Sequence, residues 1–283
     1  MLTRQIIEDA VNRALAEDAP WGDVTSQYLI PEDARAVATL EAREAGVMAG
    51  SAVFAAAFSA VDPTVVVELQ VKDGESFPAG QQLAVVSGPA RSVLTGERVA
   101  LNFVQRMAGI ATATAKYVSA VAGTQARIVD TRKTTPGLRA FEKHSVVCGG
   151  GANHRYSLSD AVMAKDNHLA ILTRGGKDLT TELGAVRAKL GHTTHIEVEV
   201  DRLDQIPAVL AAGVDTIMLD NFNLEDMRSG VELIAGKAVI EASGGVNLET
   251  VREIALTGVD VISVGALTHQ IHSLDLGLDI AID

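Results

Sequence analysis

Ile196-Glu197-Val198-Glu199-Val200, Ile217-Met218-Leu219-Asp220, Val239-Ile240-Glu241-Ala242 and Val261-Ile262-Ser263-Val264 are short apolar runs at a regular spacing, and they decide the fold. Each has the length of a strand. The segments between them, Leu203 to Ala212, Leu224 to Ile234 and Leu248 to Leu256, read as helices often ended by glycine. Two further strands lie upstream, Ile128-Val129-Asp130 and Ala161-Val162-Met163-Ala164, with a helical segment from Leu179 to Leu190. Repeated βα units predict parallel strands joined by right-handed crossovers. No Gly-x-Gly-x-x-Gly follows a strand and the phosphate-type signals come late, which favours a barrel over an open doubly wound sheet. The expected class is α/β, with an incomplete TIM-like barrel of about six to seven strands.

The residues ahead of it, 1–109, read as an α+β sandwich domain. A helix runs through Ile6, Ala10 and Ala14, and short strands lie around Val37 to Leu40 and Val65 to Val71. Val71-Lys72-Asp73-Gly74-Glu75 and Pro78-Ala79-Gly80-Gln81-Gln82-Leu83 resemble a lipoyl or biotinyl carrier hammerhead, without an acceptor lysine in a Met-Lys-Met setting. This passage is therefore read as scaffold. A long helix with Ala100, Val104, Met107, Ala111, Ala115 and Val118 on one face bridges to the barrel, assigned to 110–269. A tail of 270–283 is expected to pack back on the first domain.

With 283 residues, 47% apolar and 21% charged, the chain is globular and not a solvated, disordered one. Its formal net charge of −12 argues against nucleic-acid binding, which depends on Lys and Arg neutralising phosphates. A local cationic cluster still dominates its own pocket, because charges are screened over about 8 Å at physiological salt. Cys148 is the only cysteine, so an intrachain disulfide and a multi-cysteine zinc cage are excluded, and its plainest reading is a small buried thiol. Met1 to Glu8 becomes charged too early for a secretory signal, and Val47 to Val61 is too short and interrupted to span a membrane. A cytoplasmic protein is expected.

Barrel chemistry gathers at strand C-termini. There the sequence places Asp130-Thr131-Arg132-Lys133-Thr134, Lys165-Asp166-Asn167-His168, Glu199, Asp220-Asn221, Ser243-Gly244-Gly245 and Gly265-Ala266. Glu197 and Glu199 alternate with Ile196, Val198 and Val200 and so face inward, where Glu197 needs a basic partner deeper in the barrel. Glu199 and Asp220 offer only oxygen donors, which suits Mg²⁺ bridged to substrate phosphates; an internal salt-bridge network is the alternative. Ser243-Gly244-Gly245, before a helix beginning near Asn247, and Gly265-Ala266 would present backbone amides to a phosphate, unless they are ordinary turn glycines. Cys148-Gly149-Gly150-Gly151-Ala152-Asn153-His154-Arg155 reads as a flexible loop delivering an imidazole and a guanidinium. With Arg132, Lys133 and Lys165, these cations exceed what one phosphate needs.

At these residues the chain resembles the quinolinate phosphoribosyltransferase family over nearly its whole length. The resemblance rests on Glu97-Arg98, Asn102 with Gly109-Ile110-Ala111-Thr112, Asp130 to Gly137, Gly149-Gly150-Gly151 with His154-Arg155, Lys165-Asp166-Asn167-His168, Glu197-Val198-Glu199 and Ser243-Gly244-Gly245. Ala108 departs from the serine usual before Gly-Ile-Ala-Thr, which is expected to affect packing only. The resemblance implies that quinolinate and phosphoribosyl pyrophosphate give nicotinate mononucleotide, pyrophosphate and carbon dioxide, with Mg²⁺ assisting. It implies that Arg132, His154, Arg155 and Lys165 clamp the quinolinate carboxylates and that Lys133 meets the diphosphate or the same anion site. Glu199 and Asp220 would face ribose and metal, and Ser243, Gly244, Gly245, Gly265 and Ala266 the 5-phosphate; Lys133, Lys165, Glu199 and Asp220 form the expected catalytic set. It further implies a homodimer, or an assembly of dimers, in which Arg98 reaches the neighbouring subunit's pocket; from the residues alone Arg98 reads equally as a solvated helix position. Two competing readings are a Schiff-base barrel aldolase using Lys165 and a non-decarboxylating paralogue associated with molybdate uptake.

Overall fold

The structure is a computed structural model and describes residues 2–281. Its strands are β1 (Arg35–Ala42), β2 (Gly46–Val47), β3 (Val66–Leu69), β4 (Ser76–Phe77), β5 (Gln82–Pro89), β6 (Arg127–Val129), β7 (Ala161–Ala164), β8 (His195–Val200), β9 (Thr216–Asp220), β10 (Val239–Ser243), β11 (Val261–Ser263) and β12 (Leu276–Ala281). Two compact units emerge. One gathers the described residues up to 115 with 135–150 and those from 270; the other holds 116–134 and 151–269. A single helix, Ala90–Ala120, begins ten residues before the apolar stripe first read for it.

In the first unit an antiparallel sheet has the order β12-β1-β5-β3, and β2 pairs with β4 in a small second sheet. Strand β1 alternates strictly: Ala36, Ala38, Leu40 and Ala42 are buried while Arg35, Val37 and Glu41 are exposed, the period of two that a half-buried strand requires. Its buried side joins a core with Phe54, Phe58, Leu83 and Met107. The tail closes this unit through β12, which pairs with β1, while 282–283 lie outside the described residues. Gly109 is needed here, because a Cβ at that position would strike the His272 carbonyl where the tail crosses the helix.

The second unit is a parallel sheet of order β6-β11-β10-β9-β8-β7, the wall of an incomplete α/β barrel. Sequential βα units give the run from β7 to β11, because each crossover lays its helix on the outside and the next strand beside the last, and β6 joins at the far end by pairing with β11. Ile196, Val198, Ile217, Leu219, Ile240, Ala242 and Ile262 are all buried. A seventh position exists only as an isolated parallel bridge between Val129 and Ala152, closed by the Ala152 N–H to Ile128 (2.9 Å). No helix among the described residues is long and apolar enough to cross a membrane.

Candidate active site

The residues alternating with that apolar set line one cavity of about 570 Å³. Met163 and Lys165 come from β7 and the residue after it, Glu199 from β8, Met218 and Asp220 from β9, Glu241 and Ser243 from β10, and Ser263 from β11. Strand register sets them in layers: Glu199 stands beside Met218, Met218 beside Glu241, and Asp220 beside Ser243. Thr131, Arg132, Lys133, His154, Arg155, Asn221, Gly244 and Gly245 complete the rim. Of the expected site residues, Arg132, Lys133, His154, Arg155, Lys165, Glu199, Asp220, Ser243, Gly244 and Gly245 are thus brought together. Gly265 and Ala266 are not among the lining residues, although Gly265 lies against the aliphatic part of Lys133, whose carbonyl accepts from the Thr268 hydroxyl (2.8 Å). Arg98 is exposed on the helix Ala90–Ala120, beside a separate shallow cleft with Asp18, Asp23 and Thr95.

The floor differs from expectation. Glu197 is buried, and its partner is an imidazole N–H with a neighbouring carboxyl in place of a deep basic side chain. The His154 Nε2 donates to Glu197 (2.9 Å) and lies 3.5 Å from Glu241, while its Nδ1 accepts the Arg155 N–H (2.8 Å). That pattern fixes the tautomer with its proton on Nε2. Burial, then the charge of Glu197, pushes the Glu241 carboxyl up to about 8, so it holds its proton at neutral pH. Two buried carboxylates side by side cannot both ionise cheaply, and one retained proton resolves the conflict. Glu241 was not singled out from sequence; its place two residues before Ser243 on an otherwise apolar strand was the available signal.

A pH effect follows from this retained proton. Glu241 binds it in the fold well above the ordinary value of 4.5, so its contribution to stability is fully present below that value. It is lost progressively as pH rises to about 8. Glu241→Gln, neutral at every pH, is expected to gain stability relative to the parent across this window, read as urea midpoints at stepped pH. A difference that stays constant from pH 5 to 9 would show that Glu241 is ionised in the fold.

Above the floor the cations are under-neutralised. Burial lowers the Arg155 pKa and so does the nearby Arg132 guanidinium, against weaker support from Glu197 and Asp160. Arg155 is tied by Nη1 to the Ala161 carbonyl (2.9 Å), and the buried Arg132 Nε has no hydrogen-bond partner. Two neighbouring guanidiniums with unspent donors have the charge and geometry that suit a multiply charged anion. Lys165 instead reaches across to Glu199, Nζ to Oε2 at 2.5 Å. The run 148–155 is not a free loop: Gly149 is buried without room for a Cβ, Ala152 bridges to Val129, and the His154 N–H donates to Asp130 (2.8 Å).

At the opposite side, Asn221 adopts φ 57° and donates its amide to the Asp220 carboxylate (2.7 Å), while Gly244 and Gly245 have φ of 96° and 61°. A Cβ on Gly244 would collide with the Asn221 side chain. The helix anticipated near Asn247 starts at Val251; the Asn247 side chain accepts the N–H groups of Glu249 and Thr250, closing a turn instead. Gly244 and Gly245 therefore open a tight turn and do not begin a helix. Gly244→Ala is expected to cost about 1–3 kcal/mol, from strain at positive φ and displacement of Asn221. Denaturant unfolding checks this, and an unchanged midpoint would mean that the turn relaxes freely.

Cations collected where parallel strands end, facing two carboxylates and a glycine turn, place the chain among α/β-barrel enzymes that act on small anionic substrates. Comparison with known proteins narrows that class. Residues 23–108 match the family model of the quinolinate phosphoribosyl transferase N-terminal domain and residues 110–279 that of its C-terminal domain, and the chain belongs to this family. It is 42% identical to nicotinate-nucleotide pyrophosphorylase [carboxylating] of Mycobacterium leprae, over 96% of this chain and 96% of that protein. To the probable enzyme of the same name from Bacillus subtilis it is 40% identical, over 98% and 94%. The solved structure of NadC from Streptococcus pyogenes superposes with a TM-score of 0.94 at 40% identity, over 100% of this chain and 99% of that one.

Proposed function

We propose that this cavity transfers the phosphoribosyl group of phosphoribosyl pyrophosphate to quinolinate with decarboxylation, releasing nicotinate mononucleotide, pyrophosphate and carbon dioxide, a step of NAD biosynthesis. The observation that carries it is the Arg132–Arg155 pair, two neighbouring guanidiniums with donors to spare, which suits a ring bearing two carboxylates. Lys165 adds a third cation, and Lys133 lies exposed at the rim beside Gly265, within reach of a phosphate or diphosphate. His154 has both ring nitrogens engaged, so it fixes Arg155 and the floor and leaves the carboxylates to the arginines and Lys165.

In the transfer, the quinolinate nitrogen forms a bond to the anomeric carbon as the bond to pyrophosphate breaks, and the leaving group takes the electron pair. Positive charge grows on the sugar. Glu199 and Asp220, at the mouths of β8 and β9, stabilise it without forming a covalent bond. The resulting pyridinium accepts electron density as the neighbouring carboxylate departs as carbon dioxide, and the ring carbon is then protonated. Ser243, Gly244 and Gly245 receive the 5-phosphate through backbone and hydroxyl donors, with Gly265 against the Lys133 side chain and Ala266 next to it in the chain.

Mg²⁺ fits the donor set at Glu199 and Asp220, which are hard carboxylate oxygens. No third ligating side chain among the described residues joins them in a close cluster, so diphosphate oxygens and water would complete the coordination. When bound, the ion neutralises the departing diphosphate. The enzyme is read as a cytoplasmic homodimer, with the exposed Arg98 contributing to a neighbouring subunit's cavity. Mixing Arg98→Ala and Asp220→Asn chains tests this: hybrid dimers should regain activity that neither variant has alone.

A Schiff-base aldolase needs a neutral lysine in an apolar setting, whereas Lys165 lies at an open rim in contact with the Glu199 carboxylate. The decisive assay offers quinolinate and nicotinate separately with phosphoribosyl pyrophosphate and Mg²⁺. Carbon dioxide and nicotinate mononucleotide from quinolinate alone are expected. Tight quinolinate binding without carbon dioxide release would favour the non-decarboxylating paralogue.

A further inference from the structure

The first unit holds a second convergence of ligating side chains. Asp73 lies in the turn ahead of β4, and His144 and Cys148 lie four residues apart on the helix Arg139–Cys148. Residues at that spacing share one face of a helix, the arrangement by which two side chains offer themselves to one ion. The His144 Nε2 is 2.8 Å from the Asp73 Oδ2 and 3.4 Å from the Cys148 Sγ. The three ligand atoms all lie within 4.8 Å of one another.

A nucleophilic triad would place the carboxylate on one ring nitrogen and the thiol on the other. Here both meet the same nitrogen, so three donors point at one place. Tetrahedral zinc with ordinary bond lengths separates N from S by about 3.5 Å, close to the 3.4 Å found, and N from O by about 3.3 Å, so the 2.8 Å hydrogen bond between His144 and Asp73 has to open by about half an ångström to admit the ion. The ligands are also held from behind. The Asp73 Oδ1 accepts the Ser51 N–H (3.0 Å), which turns Oδ2 toward His144, and Gly74 N–H donates to the Met48 carbonyl (2.8 Å), which anchors the turn. All three residues are half-buried, leaving the fourth position open to water.

We propose that Asp73, His144 and Cys148 bind a zinc-class divalent cation, one per chain, apart from the catalytic cavity. The mixed sulfur, nitrogen and oxygen set selects a borderline-soft ion over Mg²⁺. The ion cross-links the turn at Asp73 to the helix that leads into Gly149-Gly150-Gly151.

The test uses the full-length protein stripped with chelator and titrated with Co²⁺ in millimolar Mg²⁺. A thiolate-to-cobalt band in the near ultraviolet saturating at one equivalent is expected, with displacement by Zn²⁺ and a rise in Tm on zinc binding. Cys148→Ser should abolish the band, and His144→Gln should weaken Co²⁺ binding at least tenfold while leaving the thiol in place. Absence of the band, or its persistence in Cys148→Ser, would overturn the site. So would His144→Gln affinity equal to the parent's. Quinolinate turnover is measured in parallel and does not enter this readout.

Discussion

Arg132→Ala is expected to weaken quinolinate binding by about 2 to 5 kcal/mol, because a desolvated carboxylate loses its partner. The loss corresponds to roughly thirtyfold at least. The structure sharpens the expectation through an asymmetry. Arg132 contributes little to the empty fold: its Nε is buried without a partner, and its charge works against Arg155. Removing it should leave thermal stability unchanged or raised while affinity falls. A side chain that served packing alone would show the reverse, a lower Tm with calorimetric affinity intact. Arg155→Ala is not equivalent, because Arg155 also bonds the Ala161 carbonyl and its loss should lower stability as well.

The second large effect concerns turnover. Asp220→Asn is expected to lower kcat by about 10²- to 10³-fold, the size seen when one preorganised electrostatic contact to a developing charge is removed. The substitution preserves shape, and Asp220 is half-buried at a strand end where its carboxylate accepts from the Asn221 amide. Folding should survive it. Quinolinate affinity should also hold, since the arginines lie elsewhere on the rim. Full turnover in a folded Asp220→Asn protein would remove the carboxylate from the transition state.

How far these sites can be read from the chain differs residue by residue. Lys165, Glu199, Asp220 and Ser243-Gly244-Gly245 follow from strand ends alone, and the structure brings them into one cavity. Glu197 was legible as inward and in need of a partner, but that partner, His154, comes from a segment 43 positions away in the chain. Asn221 in a left-handed conformation and the turn that replaces a helix at Asn247 escaped because short polar side chains satisfy backbone groups in ways period and spacing do not encode. Cys148, read as a small buried thiol, is only half-buried, because it ends its helix at the surface of the first unit. His144 was not singled out, although its place four residues before Cys148 was the available signal; Asp73, 71 positions from His144, carried none.

Alternating apolar and polar residues on short strands, punctuated by helices, determined the barrel and the inventory of its rim. That information is local: which face a residue takes depends on its own strand's period of two. The charge states of the floor and the readiness of the arginine pair were decided only by tertiary structure. Coulomb energy and desolvation depend on separation and burial in space. The sequence names Glu197, Glu241, Arg132 and Arg155 but leaves both distance and solvent unspecified.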